Sequence, residues 1–450
     1  MKLILRPLLH ICTWLPICIQ AQNAHWQSIN QGTWTPWPYM YDVRVMYEDT
    51  VDHLLYLGGG GSASAGILVY NGDSIYGQGS YPMSRACAFA RYNDTMYVGG
   101  TSLTKHLAKW NGSSWDTTGI EANGPIYCLS VINGELYVGG TFSTIAGINS
   151  YGLAKYDGAT WTDISGFPFN QFIWVSAITE YNGELYVGGS FSDSSGNVMN
   201  ITRWDGQQWR DVGGGFHGSM DEVWKFEHFN NELYICGAFR MGSGNVGNYM
   251  AKWDGTTLSD VGGGTMGMFN SNGQVFDMAV WNNSLFAVGV FEFAGGIFTS
   301  YIAKWDGVNW CYLGDSLNGP IQCVATLDTS LYIGGSWWLI DNDTISGFAK
   351  WTGGSYTANC GNTTGIFESE TKNEVLIYPN PANTVLQMSF NIPERYQIII
   401  TDQFGRNVKH LEFSGTEAHL NIEDIESGLY FYHATSSAGN EYIGKIMIAH

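Results

Sequence analysis

Residues 126–161, IYCLSVINGELYVGGTFSTIAGINSYGLAKYDGATW, contain the pattern that decides the fold. The stretch has four apolar or aromatic runs, at 126–131, 135–139, 152–156 and around Trp161. Asn133-Gly134 separates the first two runs and Asp157-Gly158 the last two. Both dipeptides suit type I′ turns, because each central residue of such a turn needs a positive φ. The stretch therefore predicts four antiparallel strands, a to d, with two-residue turns between a and b and between c and d.

This pattern recurs along most of the chain. Copies of the Leu-Tyr-Val-Gly-Gly motif, some of them weakened, begin at Leu55, Met96, Leu136, Leu185, Leu233, Leu285 and Leu331, 40 to 52 residues apart. Copies of the Ala-Lys-Trp-Asp-Gly motif begin at Ala108, Ala154, Thr202, Ala251, Ala303 and Ala349. Four strands at this spacing are typical of a propeller blade. We therefore predict an all-β fold with a seven-bladed β-propeller over residues 22–360.

Two segments compete to complete the last blade of this ring. Residues 26–29, WQSI, resemble strand d of the other repeats, such as WTDI at 161–164. The segment around Tyr356 also follows strand c at the expected distance. The sequence leaves both alternatives open.

The repeats resemble kelch repeats over about residues 43–358. The resemblance rests on the Gly-Gly pair that ends strand b, on an aromatic residue before Asp, and on a Trp five residues later. The two-residue Asp-Gly turn departs from the longer c–d connection of that family. The resemblance implies a propeller and says little about activity, because such folds host many functions.

The first residues have the layout of a secretory signal peptide. Positive residues precede a mostly apolar run at 8–19, which is too short to span a bilayer, and Ala21 follows as a small residue. We predict a signal peptide over residues 1–21. A lipoprotein signal at Cys18 is disfavoured, because Ile17 stands where such a signal needs a small residue. No other segment is apolar enough to cross a membrane, so we do not expect an integral membrane protein.

The composition changes at the end of the repeats. Residues 361–374 predict a linker, and residues 375–450 a separate domain. Its characteristic residues are Tyr378, Pro379, Asn380, Pro381, Asp402, Gly405, Gly428, Tyr430 and Lys445. In this order they resemble the C-terminal sorting domain of the type IX secretion system of Bacteroidetes-type bacteria. The alternative is an ordinary immunoglobulin-like domain of a secreted protein.

The resemblance to a sorting domain carries several expectations. It implies a small, immunoglobulin-like β-sandwich that the type IX secretion machinery recognises. It also implies removal of the domain after export, and either release of the protein or its attachment to the cell surface. We therefore expect a secreted or outer-membrane cell-surface protein.

Six cysteines remain after removal of residues 1–21. Cys87, Cys128 and Cys323 occupy nearly the same position in their repeats and are expected to be small buried side chains. Cys311 and Cys360 both follow aromatic residues of outer strands and are the favoured disulfide pair in an exported chain. No Cys or His spacing indicates zinc.

Composition and motifs exclude several functions. The formal net charge is -20 and no basic run exists, which disfavours binding to nucleic acid. We find no nucleophile elbow, phosphate loop or metal-ligand spacing, and therefore predict no catalytic residue, cofactor or metal. The Asp residues of the repeats are expected to act in turns. The repeated Lys residues of strand c are expected to reach solvent at the rim.

Two functional classes stay open. The first is a surface binding or adhesion module, with glycans as a candidate ligand class. The alternative is a hydrolase or lyase that acts on polysaccharide with acids from several blades. The absence of a local acid/base motif favours the binding module.

The connections between strands b and c and between strands d and a predict the binding face. They are long and rich in aromatic residues, whereas the other turns are too short to build a pocket. The candidate ligand-binding residues are Trp337, Trp338, Asp341, Asp343, Phe216, His217 and Phe269. Exposed aromatic rings stack on sugars, and the aspartates accept hydrogen bonds from hydroxyl groups.

Overall fold

The fold was analysed in a computed structural model. It describes residues 26–29, 43–59, 67–79, 84–102, 105–164, 173–192, 199–217, 222–267, 273–311, 313, 317, 319–335, 339–340, 343–344, 347–351, 375–378, 382–402, 406–438 and 441–449. The chain divides into two compact units, Met1–Gly361 and Asn362–His450. The described residues are strands and turns with one 3-10 turn, Met241–Ser243, so the predicted all-β class is confirmed.

Seven four-stranded antiparallel sheets make up most of the described part of the first unit. The first strand, β1 (Trp26–Ser28), belongs to the last of these sheets. Sheet 1 contains β2 (Val43–Asp49), β3 (Leu54–Gly59), β4 (Leu68–Tyr70) and β5 (Ile75–Gly77). Sheet 2 contains β6 (Arg85–Tyr92), β7 (Thr95–Thr101), β8 (Leu107–Trp110) and β9 (Trp115–Asp116).

Sheets 3 to 5 follow the same order, and a small hairpin interrupts sheet 3. Sheet 3 contains β10 (Ile126–Ile132) and β11 (Glu135–Gly140), then the hairpin β12 (Thr144–Ile145) and β13 (Ile148–Asn149), then β14 (Leu153–Tyr156) and β15 (Trp161–Asp163). Sheet 4 contains β16 (Trp174–Tyr181), β17 (Glu184–Ser192), β18 (Met199–Trp204) and β19 (Trp209–Arg210). Sheet 5 contains β20 (Val223–Phe229), β21 (Glu232–Gly237), β22 (Met250–Trp253) and β23 (Leu258–Asp260).

The last two sheets also carry extra strands between their second and third members. Sheet 6 contains β25 (Val275–Trp281) and β26 (Ser284–Gly289), followed by β29 (Ile302–Trp305) and β30 (Trp310–Cys311). A separate three-stranded sheet joins β24 (Thr265–Met266), which precedes β25, to β27 (Phe293–Ala294) and β28 (Ile297–Phe298), which lie between β26 and β29 in the chain; β27 pairs with both β24 and β28. Sheet 7 contains β31 (Ile321–Leu327) and β32 (Ser330–Gly335), then the hairpin β33 (Leu339–Ile340) and β34 (Asp343–Thr344), then β35 (Phe348–Trp351), and finally β1.

The predicted strands of residues 126–161 are confirmed within one residue at each end, and so is the turn between strands a and b. Asn133 and Gly134 have φ values of 51° and 78°. The predicted two-residue c–d turn is wrong. Of its two residues only Gly158 has a positive φ, and Tyr156 pairs with Trp161, which leaves a four-residue loop. The Asp157 carboxylate accepts hydrogen bonds from two backbone N–H groups of this loop, and these bonds define the turn.

The Gly-Gly pair that ends strand b permits two close approaches. A β-carbon on Gly188 would lie 2.5 Å from Cγ1 of Val223, the first residue of β20 in the next sheet. A β-carbon on Gly189 would lie 1.8 Å from the carbonyl oxygen of Trp174 in its own sheet. The first glycine therefore lets neighbouring sheets pack together, and the second lets strand a approach strand b.

The first strands of the seven sheets contact one another in a closed cycle. They are β2, β6, β10, β16, β20, β25 and β31, and β31 in turn contacts β2. The last sheet is completed by β1, which pairs with β35 so that Trp26 lies opposite Trp351. Their rings are 4.9 Å apart. The N-terminal segment therefore takes the place that the sequence left open.

Tryptophans of the third strands pack between sheets. Trp253, Trp305 and Trp351 are buried. Trp110 and Trp204, at the same position of their repeats, are only partly buried. The lysine beside Trp253 makes an ion pair within its own sheet: the Lys252 ammonium group lies 3.0 Å from the Glu232 carboxylate.

The described part of the second unit forms one five-stranded antiparallel sheet. Its strands are β36 (Val375–Tyr378), β37 (Val385–Asp402), β38 (Asn407–Asn421), β39 (Gly428–Ser436) and β40 (Glu441–Ile448). The register between β37 and β38 shifts between Ser389 and Glu394. The first half of β37 also pairs with β36, and the second half also pairs with β39. Phe390 contacts the Tyr442 ring at 5.4 Å, so the two halves share one core.

The burial predicted for three cysteines is confirmed for Cys323 and wrong for Cys87 and Cys128, which are only partly buried. Four described cysteines are free thiols: Cys87, Cys128, Cys236 and Cys323. Burial raises the pKa of the Cys128 thiol, which donates a hydrogen bond to a carbonyl of the next sheet. Cys311 is disulfide-bonded. Its predicted partner, Cys360, lies outside the described residues.

Candidate functional site

The ligand-binding residues predicted from sequence fall in different environments. Trp337, Trp338, Asp341 and Phe269 lie outside the described residues. Asp343 belongs to β34 and is paired with Ile340. His217 is exposed, and its backbone N–H and C=O groups both bond to the Asn245 side chain.

Phe216 corrects one of these predictions. The prediction requires an exposed ring, but Phe216 is fully buried. It stacks on Phe239 with ring centroids 3.9 Å apart. Its carbonyl oxygen accepts a hydrogen bond from the Asn200 side chain. Phe216 lies in the core although its neighbour His217 is exposed. Burial removes the apolar surface of the aromatic ring from water, which stabilises the fold more than an exposed ring would.

A different set of residues recurs at one position in all seven sheets. Each first strand has a β-bulge directly after its first or second residue, where the pairing with the second strand shifts by one residue. The bulged residues are Arg44, Cys87, Tyr127, Ser176, Trp224, Phe276 and Gln322, which we call the bulge ring. All seven are partly or fully exposed. Bulges often aim side chains at functional sites.

Aromatic residues dominate one part of the bulge ring. Tyr127 of sheet 3 stacks on Trp174 of sheet 4, with ring centroids 4.6 Å apart and an interplanar angle of 25°. Trp174, the first residue of β16, is 38% exposed. Trp224 and Phe276 of the next two sheets lie 5.4 Å apart. Four neighbouring sheets thus present aromatic rings at the same end of their first strands.

Positive charge lies on one flank of the Tyr127–Trp174 pair. Arg85 opens β6 of the preceding sheet and is exposed. Burial raises the pKa of the Cys87 thiol, while the positive charges of Arg85 and Arg44 partly oppose that rise. Arg85 also opposes the rise that burial causes in the pKa of Tyr127. Arg85 is therefore close to Cys87 and Tyr127 of the bulge ring, to which Arg44 itself belongs.

A carboxyl group lies on the other flank. Glu222 directly precedes β20, and its negative charge contributes to the raised pKa of Tyr127. Burial raises the pKa of Glu222, and a hydrogen bond from Trp224 opposes part of the rise. Its Oε1 atom is buried and has no hydrogen-bond partner among the described residues. An acceptor left in this state costs free energy until a ligand or water satisfies it.

Three ionisable groups lie one to three residues beyond the bulges of sheets 5 and 6. Lys225 forms an ion pair with Asp277, which also accepts a hydrogen bond from the backbone N–H of Val324. Burial lowers the pKa of Lys225, but the charges of Asp277 and Glu227 outweigh this and raise it overall. Burial raises the pKa of Glu227 to about 7, against the opposing charge of Lys225. Glu227 therefore changes charge near neutral pH.

In the second unit, separate motif residues of the sequence come together. Asp402 at the end of β37 lies opposite Tyr430 of β39, and Lys445 of β40 lies opposite Phe431. The Asp402 carboxylate holds the Arg406 side chain at 2.7 Å. Gly428 opens β39, and Tyr378 ends β36. Pro379, Asn380, Pro381 and Gly405 lie outside the described residues.

Residues 376–449 match the family model of the secretion system C-terminal sorting domain. The second unit is a type IX sorting domain. The sorting domain marks the chain as exported to the cell surface or secreted, as the sequence predicted. It also implies handling by the type IX machinery.

Several solved structures resemble the whole chain weakly. The extracellular domain assigned to the hybrid two component system BT4673 from B. thetaiotaomicron is 11% identical with a TM-score of 0.49, over 96% of this chain and 60% of that one. PorZ, a surface component of the type-IX secretion system of Porphyromonas gingivalis, is 15% identical with a TM-score of 0.37, over 91% of this chain and 66% of that one. A fungal alcohol oxidase of the AA5 family, in complex with copper, is 14% identical with a TM-score of 0.43, over 93% and 100%.

These likenesses support no inference about activity. The chain spans less than two thirds of the BT4673 and PorZ chains that it resembles. No curated protein is significantly similar to it. Within the described residues, no group of three or more His, Cys, Asp or Glu side chains is arranged to hold a metal ion. Nor is any helix of that part of the chain long and apolar enough to span a membrane.

Proposed function

We propose that this exported protein is a surface binding module, with seven propeller blades that carry a ligand site over the bulge ring. The observation that carries the proposal is the partly exposed stack of Tyr127, a residue of the bulge ring, on Trp174, which lies two residues before the bulge of sheet 4. Aromatic faces of this kind suit the apolar face of a sugar ring, and neighbouring polar groups fix its orientation. Glycans are therefore the ligand class that we favour.

The propeller assignment rests on the contacts between sheets. The closed cycle of first strands and the completion of the last sheet by β1 are what a ring of blades requires. The four-residue c–d loop brings the repeats nearer to the kelch pattern than the sequence indicated. We assign residues 1–21 to a signal peptide, 22–360 to the propeller, 361–374 to a linker and 375–450 to the sorting domain.

The position of the bulge ring agrees with a binding role. The bulges lie where each first strand follows the connection from the preceding sheet. Because the second strand runs antiparallel, its connection to the third strand leaves from the same end. The extra hairpins, such as β12–β13, belong to these connections. The proposed site is therefore bordered by long loops, whereas the opposite end carries two-residue a–b turns such as Asn182-Gly183 and four-residue c–d loops.

Glycan-array binding by the full mature chain tests this proposal. Replacing Trp174 with Ala should weaken binding at least tenfold and leave the thermal transition nearly unchanged, because the ring is partly exposed. The double variant Trp337→Ala, Trp338→Ala tests the site predicted from sequence alone. Loss of binding in the double variant with full binding by Trp174→Ala would place the ligand on that loop instead.

The alternative function is hydrolysis or cleavage of a polysaccharide. The observation that favours it is Glu227, whose pKa of about 7 would suit a general acid. Product analysis by mass spectrometry after incubation with the bound glycan decides between the two functions. Shorter products from the wild-type chain, and none from Glu227→Gln, would establish the enzyme. Unchanged glycan in both samples supports the binding module.

A further inference from the structure

The charges on the two flanks of the aromatic stack differ in sign, and their arrangement bears on the class of ligand. On one side, sheets 1 and 2 contribute Arg44 and Arg85. On the other side, sheet 5 contributes Glu222. The Tyr127–Trp174 stack of sheets 3 and 4 lies between them in the cycle of first strands. A ring held on this stack would therefore meet a cation at one edge and a carboxyl group at the other.

Arg85 is available for a ligand. The chain has 40 acidic and 20 basic residues, so most cations have a carboxylate partner nearby. Five arginines are paired in this way: Arg91, Arg203, Arg210, Arg395 and Arg406. Arg85 is exposed and forms no ion pair with another described residue. A guanidinium group binds a carboxylate through two parallel hydrogen bonds, which gives both strength and orientation.

Glu222 favours a neutral hydrogen-bond donor rather than the carboxylate that Arg85 favours. Its buried Oε1 atom lacks a partner among the described residues and is ready to bond to a hydroxyl group. A second carboxylate brought to this side would be repelled and would lose water without compensation. The site therefore discriminates between the two edges of a ligand: a negative group is favoured beside Arg85, and hydroxyl groups beside Glu222.

We propose that the bulge ring binds an acidic sugar, with the sugar ring on the Tyr127–Trp174 stack and its carboxylate on Arg85. This inference rests on the proposed binding function and names the ligand class of the same site. The overall negative charge of the chain does not prevent it, because at physiological ionic strength charges more than about 8 Å away are largely screened.

Matched oligosaccharides test the inference on the full mature chain. The first probes are trigalacturonic acid and galactotriose of the same linkage. The acidic probe has a carboxylate on each sugar where the neutral probe has a hydroxymethyl group. Oligomers of mannuronate, guluronate and glucuronate are compared with their neutral counterparts in the same way. We expect at least one acidic probe to bind tenfold or more tightly than its neutral counterpart. Equal binding of every acidic and neutral pair would overturn the inference.

Three arginine variants locate the preference. Arg85→Gln should remove the preference for the acidic probe and leave the affinity for the neutral probe unchanged. Arg210→Gln removes the same charge from the outer strand β19 and should keep the preference. A preference that survives in Arg85→Gln would also overturn the inference. Arg85→Lys keeps the charge and should retain only part of the preference, because an ammonium group cannot bind both oxygens in the same way.

Cys87 supplies an independent measurement. It is a half-exposed free thiol in the bulge ring beside both arginines. A bound acidic sugar should slow its alkylation, while the neutral probe at the same concentration should not. Failure of the proposed function is distinguishable: if Trp174→Ala binds every probe as the wild type does, the site itself is wrong. If Trp174→Ala weakens all probes equally and no acidic preference exists, only the ligand class is wrong.

Discussion

The indole N–H of Trp253 donates a hydrogen bond to the Tyr186 hydroxyl at 3.0 Å, and both side chains are buried. Trp253 lies on β22 of sheet 5 and Tyr186 on β17 of sheet 4, so the bond joins two sheets. The next pair of sheets repeats it between Trp305 and Tyr234 at 3.1 Å. In both pairs, the Tyr of the Leu-Tyr-Val-Gly-Gly motif therefore bonds to the Trp of the Ala-Lys-Trp-Asp-Gly motif in the next repeat.

Replacing Tyr186 with Phe should destabilise the first unit. The change removes only the acceptor and leaves the Trp253 N–H buried without a partner, which costs about 1–3 kcal/mol. Urea unfolding followed by tryptophan fluorescence measures the difference. The control is Tyr151→Phe, because Tyr151 is 60% exposed and water replaces its contacts. A loss of similar size in both variants would contradict a role for the bond between sheets.

Replacing Gly189 with Ala should damage the fold more severely. The new β-carbon would lie 1.8 Å from the Trp174 carbonyl oxygen, a backbone atom that cannot move aside. We expect a loss of at least about 3 kcal/mol or no soluble protein, which is at the severe end for a single substitution. Gly77→Ala is the matched control, since nothing lies within 4 Å of its β-carbon position. Equal yield and stability of the two variants would contradict the close approach.

Glu227 should make stability depend on pH between about 4.5 and 7. Its folded pKa of about 7 exceeds the value of 4.5 expected without burial, so across this window the unfolded chain releases a proton that the folded chain keeps. Stability therefore falls as the pH rises. In unfolding experiments, Glu227→Gln should gain up to about 3 kcal/mol over the wild type between pH 4 and pH 8. A difference between the two proteins that stays constant across this range would contradict the raised pKa of Glu227.

The disulfide of Cys311 should be detectable by counting thiols. The mature chain, denatured without reductant, should react at Cys87, Cys128, Cys236 and Cys323, and at two more cysteines after reduction. Peptide mapping should find Cys311 linked to Cys360. Replacing Cys311 with Ser should lower the unfolding free energy by about 2–4 kcal/mol, because the unfolded chain regains freedom. A Cys311 thiol that reacts before reduction would contradict the prediction.

Removal of the sorting domain should block export. Deleting residues 375–450 should leave the rest of the chain in the periplasm, because the recognised domain is gone. The exported wild-type protein should lack residues from about 370 onwards, as mass spectrometry of the released or surface form would show. A reporter fused to residues 362–450 should be exported, which separates recognition from any effect on folding. An exported protein that still ends at His450 would contradict the processing step.

Much of the fold could be predicted because its signals are local. The dipeptide Asn-Gly favours positive φ values when it lies between two apolar runs, as Asn133-Gly134 does. The a–b turns therefore follow from the residues themselves. The sorting domain was recognisable because its motif residues occur in a fixed order. The c–d turn was predicted wrongly, because the Asp157 carboxylate bonds to backbone groups two and three residues further on and so favours a longer loop.

The candidate site was less predictable. Each bulge arises where the first strand pairs with the Gly-Gly motif of the second strand. The recurrence of this motif is therefore the sequence signal for the bulges, and it indicates the positions of Tyr127 and Trp224. Nothing local signals that Tyr127 stacks on Trp174 of the next repeat, 47 positions further on. The pKa of Glu227 likewise depends on Lys225 and on Asp277 of another sheet.

The sequence by itself determined the main strands, the a–b turns, the number of repeats and the route of export, because backbone preferences and short motifs act over a few residues. Only the tertiary structure decided that Trp26 completes the last sheet, that Phe216 enters the core and that Arg85 and Glu222 flank one aromatic stack. The physical reason is that these outcomes depend on packing between sheets, where residues distant in sequence compete for the same buried space and the same charges.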